Sequence, residues 1–281
     1  MPDPSLTKPS AELPLTPTRV GMLALFAVAT ILLIAVHLHW MGAIAWLGSA
    51  VLAWRDSEGA VRRRMLVLLG CVAILGATDI NTSLSNRNFL QVGIPFLIAI
   101  LLPVLILQRT DPGTIRYQIL PKKVCRADVV YTLISIPLAW GILKFYWWVN
   151  PDLYTNWPLP AEADTDEIRR LFLGINLVGV WDEIFFVSTV FAVLRSLFRY
   201  PIANAVQAVV YTSVLYDMAF TGIGPLIVYA FAWTQGAMYE KSKSLIWVLL
   251  VHLIVDFFLV AAIVSSHYPD YGFDFLWRHG M

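Results

Sequence analysis

Seven apolar runs, near residues 20–38, 88–108, 129–149, 171–194, 200–220, 222–239 and 244–266, are each long enough at 1.5 Å per residue to cross about 30 Å of hydrocarbon. Two shorter runs, 41–54 and 65–78, are near fourteen residues each and read as short tilted spans or as one re-entrant pair. Lipid offers no partner to a backbone N–H or C=O, so segments of this length must satisfy themselves as helices. The expected fold is all-α: a polytopic transmembrane helix bundle of nine spans, or eight if the short pair is re-entrant. With 58% hydrophobic and 14% charged residues, the chain has no segment able to bury a separate soluble core.

Charge placement predicts the orientation. Arg55, Arg62, Arg63 and Arg64 share one loop, and Arg109, Arg116, Lys122, Lys123 and Arg126 another. Cytoplasmic loops collect Lys and Arg, so both loops belong inside, and alternation then places Arg195, Arg199, Lys241 and Lys243 inside too. The acidic stretch Glu162 to Glu167 falls outside. A Pro-, Ser- and Thr-rich segment, residues 1–19, reads as a disordered cytoplasmic tail, residues 20–266 as the integral membrane domain, and 267–281 as a short external aromatic tail. The expected location is the plasma membrane, with the lipid bilayer as first partner. A formal net charge of +1 without a basic face excludes a nucleic-acid partner. Cys71 and Cys125 are too few and too differently placed for a disulfide framework or a thiolate metal site. No phosphate-binding loop, dinucleotide fingerprint or His-Glu-x-x-His helix is present.

Within the apolar runs stand Asp182, Glu183, Asp217, His252 and Asp256. Each charge at mid-bilayer costs at least about 2.5 kcal/mol, so intramembrane ionisable groups mark a functional site unless paired for structure. Asp182 and Glu183 are adjacent and point about 100° apart on a helix, so at least one faces the bundle interior. Two close carboxylates cannot both ionise cheaply there, which suits one of them to general-base work. His252 and Asp256, four residues apart, share one helical face, where the carboxylate can fix the imidazole's tautomer. Asp217 sits near the end of its run, just before the Thr221–Gly224 turn.

The stretch from about Leu171 to Val260 resembles the CPBP family, the CAAX-protease and bacteriocin-processing (Abi-type) membrane endopeptidases. That family carries Glu-Glu-x-x-x-Arg on one span, Phe-x-x-x-His on the next and His-x-x-x-Asn or Asp on a later one. Asp182-Glu183 matches the acidic pair, His252-x-x-x-Asp256 the third motif, and Phe231 to Leu245 the Gly-rich span with its basic turn. Asp217 falls where the second-motif His is expected, Val187 where the Arg is, and Asp182 replaces the first Glu. The resemblance implies an intramembrane endopeptidase in which a carboxylate activates water, Asp217 helps to hold that water or a divalent metal ion, and His252 with Asp256 supports the oxyanion. Its substrates would be a peptide, a lipidated protein or another membrane protein. The departures imply an alternative, a proteolytically silent relative that binds or assembles with a membrane partner. A third reading from the buried charges is a proton- or ion-coupled transporter.

Overall fold

The computed structural model describes residues 12–121, 123–273 and 276. The described residues form nine principal helices and one short 3₁₀ turn, Leu153–Asn156. In chain order the helices are α1 (Pro17–Ala35), α2 (His39–Arg55), α3 (Gly59–Gly76), α4 (Asn86–Thr110), α5 (Arg126–Val149), α6 (Thr165–Arg195), α7 (Tyr200–Asp217), α8 (Gly224–Ser242) and α9 (Leu245–His267). Five of them, α1, α4, α5, α6 and α9, are long and apolar enough to cross a membrane. The two short runs are separate helices of 17 and 18 residues that pack on each other, because Arg62, Arg63 and Arg64 are absorbed into the first turns of α3 instead of forming a loop.

Local chemistry sets several of the boundaries. Thr16 caps α1 through its side chain and Pro17 opens it, so Pro17, Thr18 and Arg19, expected in the disordered tail, are helical. The rest of that expectation, Met1 to Ala11, lies outside the described residues, as do Lys122 and the tail residues 274, 275 and 277–281. Ser85 caps α4 by accepting from the Asn88 N–H. Pro95 and Pro103 lie within α4 and Pro137 within α5, as membrane helices tolerate. Among the described tail residues, Tyr268 is buried and its hydroxyl donates to Pro160 O at 2.6 Å.

Polar contacts gather the basic loops at one end of the bundle. Arg63 grips Asp111 through two bonds of 2.8 Å, Arg64 reaches Ser196, and Arg195 pairs with Glu240 and Glu12 at 3.0 Å each. Residues 115–120 cross the same end, where Gln118 O and Ile119 O accept from the first N–H groups of α9. Asn156, Trp157, Pro160 and the acidic segment lie at the opposite end with the α7–α8 turn and His37. Between the ends, Leu101 and Leu105 of α4, Leu133 of α5 and Leu173 of α6 face outward, as a lipid-contacting surface requires.

Arg19 and Asp56 tie α1 to α2 by a two-bond pair of 2.8 and 2.9 Å, with both side chains about 6% exposed. The guanidinium holds the Asp56 carboxyl below the usual carboxylate range. A depressed carboxylate contributes stability that is complete above its unfolded value, about pH 4, and is lost as pH falls through the folded value. Asp56→Asn should leave the Arg19 charge buried without its counter-ion and cost roughly 3 kcal/mol. Thermal unfolding of the detergent-solubilised variant should show a lowered midpoint, and the difference from wild type should shrink as pH falls below about 4.

Candidate active site

Helix α6 changes pitch where the acidic pair falls. Beyond Asp182 it widens over Glu183–Phe191, and Thr189 Oγ1 bonds back to Ile184 O, five residues earlier, at 2.9 Å. Such wide turns are frequent at functional sites because they redirect side chains without breaking the helix. Here Asp182 lines a cavity, whereas Glu183, with no solvent exposure, points between α7, α8 and α9.

Glu183 Oε1 is the hub. It accepts from His252 Nδ1 at 2.7 Å, Gln235 Nε2 at 2.9 Å and the Tyr211 hydroxyl at 3.3 Å. The Tyr211 hydroxyl is also 3.0 Å from His252 Nδ1. Gln235 is fixed in turn, its Nε2 donating to Val248 O at 2.8 Å and its Oε1 accepting from Tyr131 at 3.1 Å. With Nδ1 held, the opposite ring nitrogen faces two carboxylates: His252 Nε2 lies 3.6 Å from Asp182 Oδ2 and 3.5 Å from Asp256 Oδ1. Asp182 Oδ1, Glu183 Oε2 and Asp256 Oδ2 are buried without a hydrogen-bond partner among the described residues.

Two glycines permit this convergence. A Cβ on Gly179 would overlap Asp256 Oδ2 and stand 3.1 Å from His252 Cδ2, so only glycine lets α6 approach α9 at the cluster. Gly236, next to Gln235, leaves room for Asn204 Oδ1 between α7 and α8.

Asp182, His252 and Asp256 stand at one wall of a cavity of about 850 Å³ that is otherwise mostly apolar. Helices α4 and α5 form its flanks, with α6, α8 and α9 behind. Toward the basic end Tyr131 bonds Thr234 at 2.8 Å and Trp181 stacks on Phe96 at 4.0 Å. Toward the opposite end its lining continues to Asn81, Ser83, Leu84 and Trp157.

Four of the five residues singled out in the sequence therefore meet, and Asp217 does not. Asp217 ends α7 and pairs with His37 Nε2 at 2.8 Å, at the end of the bundle away from the basic loops. Position 211 supplies the side chain that α7 brings to the cluster. Six residues separate the two positions, about 9 Å along the axis and about 120° around it, so a match by chain distance alone picks the wrong face. Tyr211 and Gln235 carry no charge at neutral pH and so do not stand out in the sequence as a carboxylate in an apolar run does. The available signal was a polar side chain on each of α7 and α8 inside an apolar run.

The donor set does not fit the divalent ion implied by the resemblance. Among the described residues no group of three or more His, Cys, Asp or Glu side chains is spaced to hold a metal. Glu183 Oε1 and His252 Nδ1 are already spent on each other, and Nε2 stands 3.6 Å from Asp182 and 3.5 Å from Asp256, in ion-pair contact with both.

Residues 165–258 match the family model described as Rce1-like, type II CAAX prenyl endopeptidase Rce1-like. That segment runs from the start of α6 into α9 and contains Asp182, Glu183, Tyr211, Gln235, His252 and Asp256. Over that segment the chain is similar to the CAAX-protease family. No curated protein and no solved structure matches the chain. The five apolar helices and the CAAX-protease segment together describe an integral membrane protein.

Gly179→Ala should force α6 away from α9 and cost about 1–3 kcal/mol. Gly141→Ala, where a Cβ meets nothing within 4 Å, is the control. Circular dichroism melts in one detergent should show a lower midpoint for the first variant and an unchanged or slightly raised one for the second; equal midpoints would contradict the close approach.

Proposed function

We propose that this chain is a CPBP-like intramembrane endopeptidase that cleaves an apolar, membrane-embedded peptide by carboxylate-activated water. The observation that carries the reading is the orientation of His252: Glu183, Tyr211 and Gln235 fix one side of the ring, and Nε2 is turned to Asp182 and Asp256 at the cavity wall.

In this mechanism a water held by Asp182 attacks the scissile carbonyl carbon and gives its proton to the Asp182 carboxylate. His252, protonated on both nitrogens among three carboxylates, donates from Nε2 to the developing oxyanion, and Asp256 stabilises that imidazolium. Collapse of the tetrahedral intermediate breaks the C–N bond as Asp182 returns the proton to the leaving amine. Glu183 keeps the ring in place through Nδ1 and does not touch the substrate. Surrounding apolar walls exclude bulk water, which strengthens each of these interactions. We further place the basic end in the cytoplasm with nine helices crossing a plasma membrane, a reading supported by the common end of the Arg- and Lys-bearing loops.

A second reading has its own observation: α7 brings a tyrosine and no imidazole to the cluster, and Val187 stands where the resemblance expects an arginine. On that reading the chain is a silent relative whose polar core serves assembly with a membrane partner. Turnover separates the two. In proteoliposomes supplied with a prenylated CAAX peptide and an apolar transmembrane peptide, wild type should release a fragment from at least one. Asp182→Asn and His252→Ala should each lower kcat about 100-fold or more, and Asp217→Asn should stay within about twofold of wild type because its carboxylate serves His37. No cleavage of either peptide by wild type would give the silent reading the field.

A further inference from the structure

The irregular segment that crosses the basic end is bonded at four successive residues to three helices that carry the polar cluster. Arg116 O accepts from the Tyr239 hydroxyl of α8 at 3.3 Å. Gln118 O and Ile119 O accept from Leu245 N and Ile246 N of α9 at 2.9 and 3.1 Å. Between them a side chain reaches inward, and the Tyr117 hydroxyl lies 2.8 Å from Thr189 Oγ1 of α6. These are the helices of Asp182 and Glu183, of Gln235, and of His252 and Asp256.

Thr189 is also the residue whose hydroxyl returns to Ile184 O across the widened turn, at 2.9 Å. Its single proton is committed to that carbonyl, so the Tyr117 hydroxyl donates to Thr189 Oγ1. Two hydrogen bonds in series therefore run from the crossing segment to the turn that sets the direction of Glu183. Thr189 has no solvent exposure, so water does not stand ready to replace Tyr117 as its donor. The wide pitch is rare, and a helix released from it would settle toward 3.6 residues per turn, turning Glu183 relative to the residues beyond Phe191. Neither Tyr117 nor Thr189 lines the cavity. We infer that Tyr117 is a positioning residue: through Thr189 it holds the widened turn of α6 at the pitch that aims Glu183 Oε1 at His252 Nδ1. The inference rests on the endopeptidase reading only for its effect on turnover.

Nitrogen NMR of histidine-labelled protein reads the ring directly, with the His252 signals identified by their loss in His252→Ala. Tyr117→Phe and Thr189→Val each remove one hydroxyl at nearly constant shape, and each should shift the His252 Nδ1 resonance in the same direction. The double variant should shift it no further than the larger single one, because both hydroxyls act in one series, and Thr189→Ser should restore it. Asp56→Asn, destabilised at the remote Arg19 pair, should leave the resonance in place. In turnover, Tyr117→Phe should lower kcat about fivefold, the worth of one ordinary hydrogen bond, with KM within about twofold because the hydroxyl stands outside the cavity. An unmoved His252 resonance in both single variants, shifts that add in the double variant, or an equal shift in Asp56→Asn would overturn the inference. The expected shifts in a protein that cleaves neither peptide would uphold it and sink the endopeptidase reading alone.

Discussion

The bond between Glu183 Oε1 and His252 Nδ1 is the interaction on which the rest of the bundle core depends. A carboxylate without solvent exposure is tolerable only when its oxygen is met by several donors, and one imidazole, one amide and one phenol from three helices do so. Each requirement propagates. The widened turn of α6 aims Glu183 inward, Gly179 lets α9 come close enough, and Val248 O and Tyr131 hold the amide of Gln235 in register. Asp182 and Asp256 are then placed beside Nε2 as a consequence of where the ring is fixed.

Helix existence was legible in the sequence because apolar run length is a direct consequence of backbone chemistry in lipid. Boundaries moved where polar residues joined helices: Pro17 to Arg19 extended α1 backward, and three arginines became the first turns of α3. Four site residues were legible for the same reason, since a charge in an apolar run has few innocent explanations. Asp217 failed that logic because α7 ends there and His37, from the connection between α1 and α2, supplies a counter-charge that no pattern within α7 reveals. Tyr211 and Gln235 were hidden by the opposite property, for they carry no charge and differ from structural polar residues only through what they touch. The five-residue return from Thr189 to Ile184, which separates the directions of Asp182 and Glu183, has no sequence signature in an α-helical period.

The two ends of the bundle differ in chemistry as well as in charge. At the basic end, Arg19, Arg63, Arg64 and Arg195 each meet a carboxylate, and the segment 115–120 closes over α8 and α9 through Arg116 O, Gln118 O and Ile119 O. The opposite end is joined by the His37–Asp217 pair, by Arg170 bonded to Leu84 O and Asn86, and by bonds to carbonyls such as Asn156 to Ala219 O and His267 to Trp157 O.

That asymmetry bears on why the polar cluster sits where it does. A charge array within about one helical turn of water would be screened, and its members would need no partners on neighbouring helices. Asp182 lies seventeen residues into α6, about 26 Å from its first turn, where water is scarce and every orphan oxygen is costly. Stability alone would favour replacing such a cluster with packed aliphatic residues, because isosteric apolar cores are often as stable as buried ion pairs or more so. The chain instead keeps three carboxylates around one imidazole and leaves one oxygen of each without a partner. Asp256 Oδ2 packs over Gly179 of α6, so among the three carboxylates Asp182, at the wall of the cavity, is the one whose place the packing of α6 on α9 does not explain.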